Sequence, residues 1–212
     1  MRVRDVLGVS QRRQRQLTRA LQLSLVGFIF VGFDRGNLGI VVNAAIALGV
    51  TYLPAVLERD YQVPMDAALT LWVSLAVFLH ALGTLGPYQN IWWWDHLTHA
   101  LSSSVVAAGG YAVARGIDEH TEDIHLPTGF MVPFLFMVTL AFGVFWEVIE
   151  FGVSGAASLL GSDTVLTQYG IGDTMLDLVF DTAGAALVAA GGWAYLTDVT
   201  TAISDRLDRG GG

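Results

Sequence analysis

The sequence contains no cysteine and no lysine, and charged residues fill only 14% of its 212 positions. Without cysteine there are no disulfides, no thiolate zinc sites and no cysteine-held iron–sulfur clusters. So little charge excludes a disordered chain. It also falls well below the roughly 25% that an ordinary soluble domain carries. All eleven basic residues are arginine, set against nineteen acidic ones, for a net charge of −8. That acidic surplus speaks against nucleic acid as a partner.

What the sequence does have is 53% hydrophobic residues, gathered into long runs. A membrane-spanning helix needs about 20 mostly apolar residues. Six runs qualify: 17–33, 38–57, 67–86, 94–114, 129–155 and 173–197. The breaks between them are polar or turn-forming, such as Asp34-Arg35-Gly36-Asn37, Glu58-Arg59-Asp60 and Pro87-Tyr88-Gln89-Asn90. No segment alternates as a barrel strand does. The expected fold class is all-α, a polytopic membrane helix bundle of six transmembrane helices. Residues 1–16 form a basic segment before it, and 198–212 a short polar tail after it.

Orientation follows from arginine. Six crossings put both termini on one side, together with ten arginines: Arg2, Arg4, Arg12, Arg13, Arg15, Arg19, Arg59, Arg115, Arg206 and Arg209. Only Arg35 lies opposite. The positive-inside rule therefore predicts cytoplasmic termini. The first run has a signal-like basic flank but no small-x-small cleavage site after it, so it reads as a retained helix. Ala100, Ser104, Ala108 and Ala112 recur every four residues in the fourth run. Gly184, Val188 and Gly192 do nearly the same in the sixth. Small residues at this spacing let helix backbones approach in lipid. Trp92, Trp93 and Trp94 read as an interfacial anchor.

The ionisable residues inside the runs carry the functional signal. A charged side chain at a helix centre costs about 2.5–3.5 kcal/mol on insertion scales, so it persists where it pairs, binds an ion or faces a polar cavity. Asp95, His96 and His99 open the fourth run, Glu147 and Glu150 lie late in the fifth, and Asp173, Asp177 and Asp181 step by four down the sixth. At about 1.5 Å per residue all three sets fall at similar depth, in the outer half of the bilayer. One common site is the reading that unites them. Asp173 and Asp95 also stand where an acidic group favours a helix start, and His96 also suits a headgroup-facing position. His80 stands alone in the third run and reads as a satisfied or cavity-facing histidine, not a ligand. His120 and His125 fall in an acidic, solvated loop.

Carboxylates crowded in a low dielectric cannot all stay ionised unless a cation neutralises them. Imidazole with carboxylate suits Zn, Mn or Fe, and oxygen alone suits Mg or Ca. The expected cofactor is a divalent ion, Zn, Mn or Mg. Its expected ligands are His99, Glu147, Asp177 and Asp181, with Asp95, Glu150 and Asp173 as outer groups or catalytic bases. The spacing matches no zinc signature such as HExxH. Three functions follow from such a cluster. One is a metal-dependent hydrolase or transferase acting on a lipid-linked or amphiphilic substrate. Another is a proton- or cation-coupled transporter, and the third a structural or envelope-assembly role. Membrane lipid is the expected partner, and a homo-oligomer is compatible with all three.

The segments Trp94-Asp95-His96-Leu97-Thr98-His99, Trp146-Glu147-Val148-Ile149-Glu150 and Asp173-Thr174-Met175-Leu176-Asp177, with Asp181 and Gly184 after them, resemble the YjdF-like family of small inner-membrane proteins. More loosely they resemble the VanZ-like group. The likeness runs from about Trp72 to Ala190 and implies a multi-helix membrane fold without assigning an activity. Lysine depletion with acidic excess resembles the composition of halophilic archaea, which predicts such an origin.

Overall fold

Capping residues set where the first helices begin. Ser10 Oγ accepts from Arg13 N, Asn37 Oδ1 from Ile40 N, and Asp66 Oδ1 from Ala68 N and Leu69 N. Each satisfies backbone donors that a helix start leaves open. In the computed structural model, residues 9–120, 124, 126–160, 166, 170–191 and 196–210 are described. They form α1 (Gln11–Asp34), α2 (Leu38–Val50), α3 (Leu53–Tyr61), α4 (Ala67–Gly83), α5 (Pro87–Asn90), α6 (Trp94–His120), α7 (Thr128–Leu160), α8 (Ile171–Gly191) and α9 (Thr197–Gly210). The described residues contain no strand, so the all-helical class stands.

Four stretches are long and apolar enough to cross a membrane: Gln11–Asp34, Leu38–Tyr61, Gly129–Leu159 and Ile171–Gly191. Ala67–Gly83 is a shorter apolar helix. α6 has 27 residues, about 40 Å of helix, but its small and ionisable residues make it more polar.

Several boundaries differ from the sequence reading, each for a local reason. α1 starts at Gln11, six residues before the expected apolar run, because Ser10 caps it. The second run is broken at Thr51 and Tyr52 into α2 and α3, with Pro54 in the first turn of α3, where its missing N–H is harmless. α6 continues to His120 and turns the expected loop from Arg115 into helix. There the Asp118 carboxylate accepts from Arg115 Nη1 and from Leu126 N, tying the helix end to the following segment. α8 is described to Gly191, and a separate helix, α9, occupies what reads as a polar tail. The expected features at Arg2, Arg4, His125 and Gly192, and residues 161–165 and 167–169 between the fifth and sixth expected runs, lie outside the described residues.

The helices pack in two groups. α1, α2 and α4 meet one another, with Leu25, Ala47 and Ala81 at the centre and Phe28, Leu48, Val77 and Phe78 around them. α6, α7 and α8 form the second group, and α9 folds back on α6. Ile203 of α9 lies against Gly116, where a side chain would collide with it. α4 joins the groups by packing on α6.

Contacts give the helix directions in the second group. His96 faces Asp177, His99 faces Asp181, and Ser103 faces Gly184. Residue numbers rise together, so α6 and α8 run parallel. Glu147 meets Thr174 whereas Gly143 meets Asp181, so α7 runs antiparallel to α8. The small-residue stripes read from sequence make this possible. A Cβ on Gly184 would strike Ser103 Oγ and the Ala100 carbonyl.

Candidate metal centre

Three helix faces supply the site. On α7 the buried positions recur every four residues through Met131, Leu135, Thr139, Gly143 and Glu147, the stripe that one face of a helix presents. On α8 they are Asp177, Asp181, Gly184, Ala185 and Val188. The polar ends of these stripes meet the first two turns of α6. Glu147, Asp177 and Asp181 are only 5%, 2% and 4% exposed.

His99 sits at the centre. Its Nδ1 lies 3.2 Å from Asp181 Oδ1 in a hydrogen bond. Its Nε2 lies 3.7 Å from Asp95 Oδ1 and 3.9 Å from Asp177 Oδ1. One ligand atom each from Asp95, His99 and Asp177 lies within 4.8 Å of the others. Donors bound at about 2.1 Å to one ion sit at most about 4.2 Å apart, so the separations from His99 suit a shared cation. The Asp181 carboxylate behind Nδ1 fixes the ring and leaves Nε2 facing the two acids, the arrangement that orients ligating histidines.

Hydrogen bonding inside the cluster is incomplete. Asp177 Oδ1, Asp181 Oδ2, Glu147 Oε1 and His96 Nδ1 are buried without a hydrogen-bond partner. An unmet buried polar atom costs about 1–3 kcal/mol, more when charged. Asp177 Oδ1 is the sharpest case. It is 3.9 Å from His99 Nε2 and 3.8 Å from His96 Nδ1, close enough to share an ion and too far for direct bonds. These residues fit a divalent cation by donor type as well as spacing.

The remaining residues singled out from sequence fall around this centre. Glu147 accepts a 2.6 Å hydrogen bond from Thr174 Oγ1, with its other oxygen open. Glu150 accepts from Trp146 Nε1 at 3.0 Å and lies in electrostatic range of Glu147, His99 and Asp95. Asp173 is in the first turn of α8, within electrostatic range of Asp95 and Asp177. It stands three residues past Gly170, whose carbonyl takes the Thr174 N–H, so it favours the helix start by charge without being the capping residue. His96 stacks flat on Phe180, with ring centres 4.4 Å apart. Trp92 is 82% exposed, as an interfacial anchor would be, while Trp94 donates Nε1 to the Leu79 carbonyl.

His80 is satisfied on both ring nitrogens, by Asn43 and Tyr88. Sequence reasoning missed Tyr88, Thr98, Trp146 and Thr174 as groups around His80 and the acidic cluster. Trp146 and Thr174 adjoin singled-out acids and could have been flagged on that ground. Tyr88 carried no signal, since it reads as part of a turn.

Residues 17–198 match the family described as "Predicted membrane protein (DUF2238)". The chain belongs to this family. The DUF2238 match takes in α2 to α8 entirely, and so every residue of the cluster. An uncharacterized protein of Thermotoga maritima is 30% identical over 144 residues, covering 65% of this chain and 68% of that protein. No solved structure matches. Family and apolar helices together make this DUF2238 chain a multi-pass membrane protein with a His/Asp cluster between its helices.

Proposed function

We propose that this DUF2238 protein is a metal-dependent membrane hydrolase or transferase acting on a lipid-linked or amphiphilic substrate. Its divalent ion would be held by Asp95, His99 and Asp177. The observation that carries this reading is the buried, unpartnered Asp177 Oδ1 facing two imidazoles, with Asp181 bracing His99 from behind. On this reading Asp95 takes the ligand place that spacing alone gives to Glu147, because Asp95 shares the small volume around His99 Nε2. Glu147 and Glu150 become the nearby groups able to accept a proton, and Asp173 contributes negative charge. A divalent ion so placed supplies Lewis acidity toward a phosphoryl or carbonyl oxygen and acidifies bound water.

The six-span topology with cytoplasmic termini belongs to the same proposal. It is supported by ten arginines on one side against one on the other. The parallel run of α6 and α8, with α7 returning between them, supports it too. In that topology the cluster lies in the outer half of the bilayer, within reach of a lipid headgroup.

Metal analysis of the protein purified in detergent and loaded with Zn(II) or Mn(II) tests the assignment. One tightly held ion per chain is expected in the natural sequence and none in His99→Ala or Asp177→Ala. A metal-replete preparation that retains no ion ends the proposal.

A further inference from the structure

One chain of polar groups beside the cluster has a direction that can be read bond by bond. It starts on α2. Asn43 Nδ2 donates to the Gly39 carbonyl at 2.9 Å, which turns Asn43 Oδ1 toward His80 Nε2, 3.3 Å away. An amide oxygen can only accept. His80 therefore carries its proton on Nε2, and its Nδ1 is an acceptor. Tyr88 OH, 2.7 Å from that Nδ1, must be the donor. The phenol has one proton and spends it there, leaving its oxygen lone pairs to accept. Thr98 Oγ1 lies 3.4 Å from the phenol oxygen but donates at 2.8 Å to the Asp95 carbonyl, so it does not use that capacity.

Position gives this orientation a purpose. The Tyr88 hydroxyl lies in electrostatic range of Asp95, Glu150 and Asp177, residues from three helices around the centre. His80 is clamped edge-on to Trp146, whose indole donates to Glu150. The Tyr88 ring is seated against Gly83, where a side chain would collide with it. A phenol locked this firmly, its proton committed to His80 and its oxygen lone pairs left to accept, suits the holding of an O–H group.

We infer that Asn43, His80 and Tyr88 form a positioning relay for the metal centre, in which Tyr88 accepts a hydrogen bond from the water or substrate hydroxyl held there. This rests on the metal reading above. Tyr88 and His80 are positioning residues: neither is placed to bind the ion.

The test uses full-length protein in lipid nanodiscs, labelled with 15N-histidine, and Mn(II) as probe. Metal-free protein should show His80 protonated on Nε2 with a hydrogen-bonded Nδ1. Tyr88→Phe should abolish the Nδ1 hydrogen bond while keeping the tautomer, and Asn43→Leu should release the tautomer. With Mn(II) bound, water-proton relaxation should report residence of bound water about five-fold shorter in Tyr88→Phe, the equivalent of one neutral hydrogen bond, at unchanged Mn(II) affinity. His80 protonated on Nδ1 overturns the relay, and so does identical water residence in Tyr88→Phe and the natural sequence. Absence of Mn(II) binding overturns the metal reading instead, while the histidine spectra still decide the hydrogen-bond direction. If Tyr88→Phe does not fold, Asn43→Leu and His80→Gln carry the same water-residence comparison, and unchanged residence in both overturns the relay.

Discussion

The two helix groups use the same packing device for different ends. α1, α2 and α4 close on the apolar contact of Leu25, Ala47 and Ala81, and His80 of α4 is hydrogen-bonded to Asn43 of α2. α6, α7 and α8 close through Gly143 and Gly184, with Asp181 seated against Gly143 and Ser103 against Gly184, and Glu147, Asp177 and Asp181 are buried among them. Among the polar side chains of the first set, Thr18 donates to the Gln14 carbonyl and Gln22 donates to Thr51, whereas the buried Gln14 amide lacks a partner. In the second set several remain open. The buried carboxylates among the described residues, Glu147, Asp177 and Asp181, all belong to the second group, at a cost that packing does not require. The difference separates scaffold from site within one bundle.

That separation can be broken by substitution. The largest effect is expected for His99→Ala, which should lower Zn(II) affinity beyond the about 100-fold associated with losing an outer partner. Titration of the purified protein checks it. Leu25→Ala, at a fully buried position, should lower unfolding stability in detergent by about 2–5 kcal/mol and leave Zn(II) affinity unchanged. A large affinity loss there would erase the boundary between the groups. Asp181→Asn should keep the fold but weaken Zn(II) by about 10- to 100-fold, because it removes the charge behind His99 Nδ1. The smallest pair compares two glycines. Gly184→Ala should cost about 1–3 kcal/mol through its collision with α6. Gly27→Ala, with open space around it, should be neutral or gain up to about 1 kcal/mol. Thermal unfolding of both variants reads the contrast.

Much of the second group was legible in sequence because its information is periodic. The steps from Asp173 to Asp177 to Asp181, and the small residues from Ala100 to Ala112, declare helix faces without any coordinates. What periodicity does not encode is helix rotation. It could not say whether Glu147 or Asp95 shares the volume around His99, since both lie on faces compatible with a common site. The α9 helix escaped notice because the apolar positions at and just before it, Leu196, Val199 and Ile203, are too few to read as a run. They count only once α6 offers a surface to cover. Asn43, His80 and Tyr88 come from separate elements, so no spacing connects them.

The parallel course of α6 and α8 has an electrostatic consequence. Both helices begin at the cluster, Trp94 and Ile171 being their first residues. Two sets of amide dipoles therefore direct their positive ends at the same place. That field tempers repulsion among the acids and makes their surroundings less negative than the chain's net charge of −8 suggests.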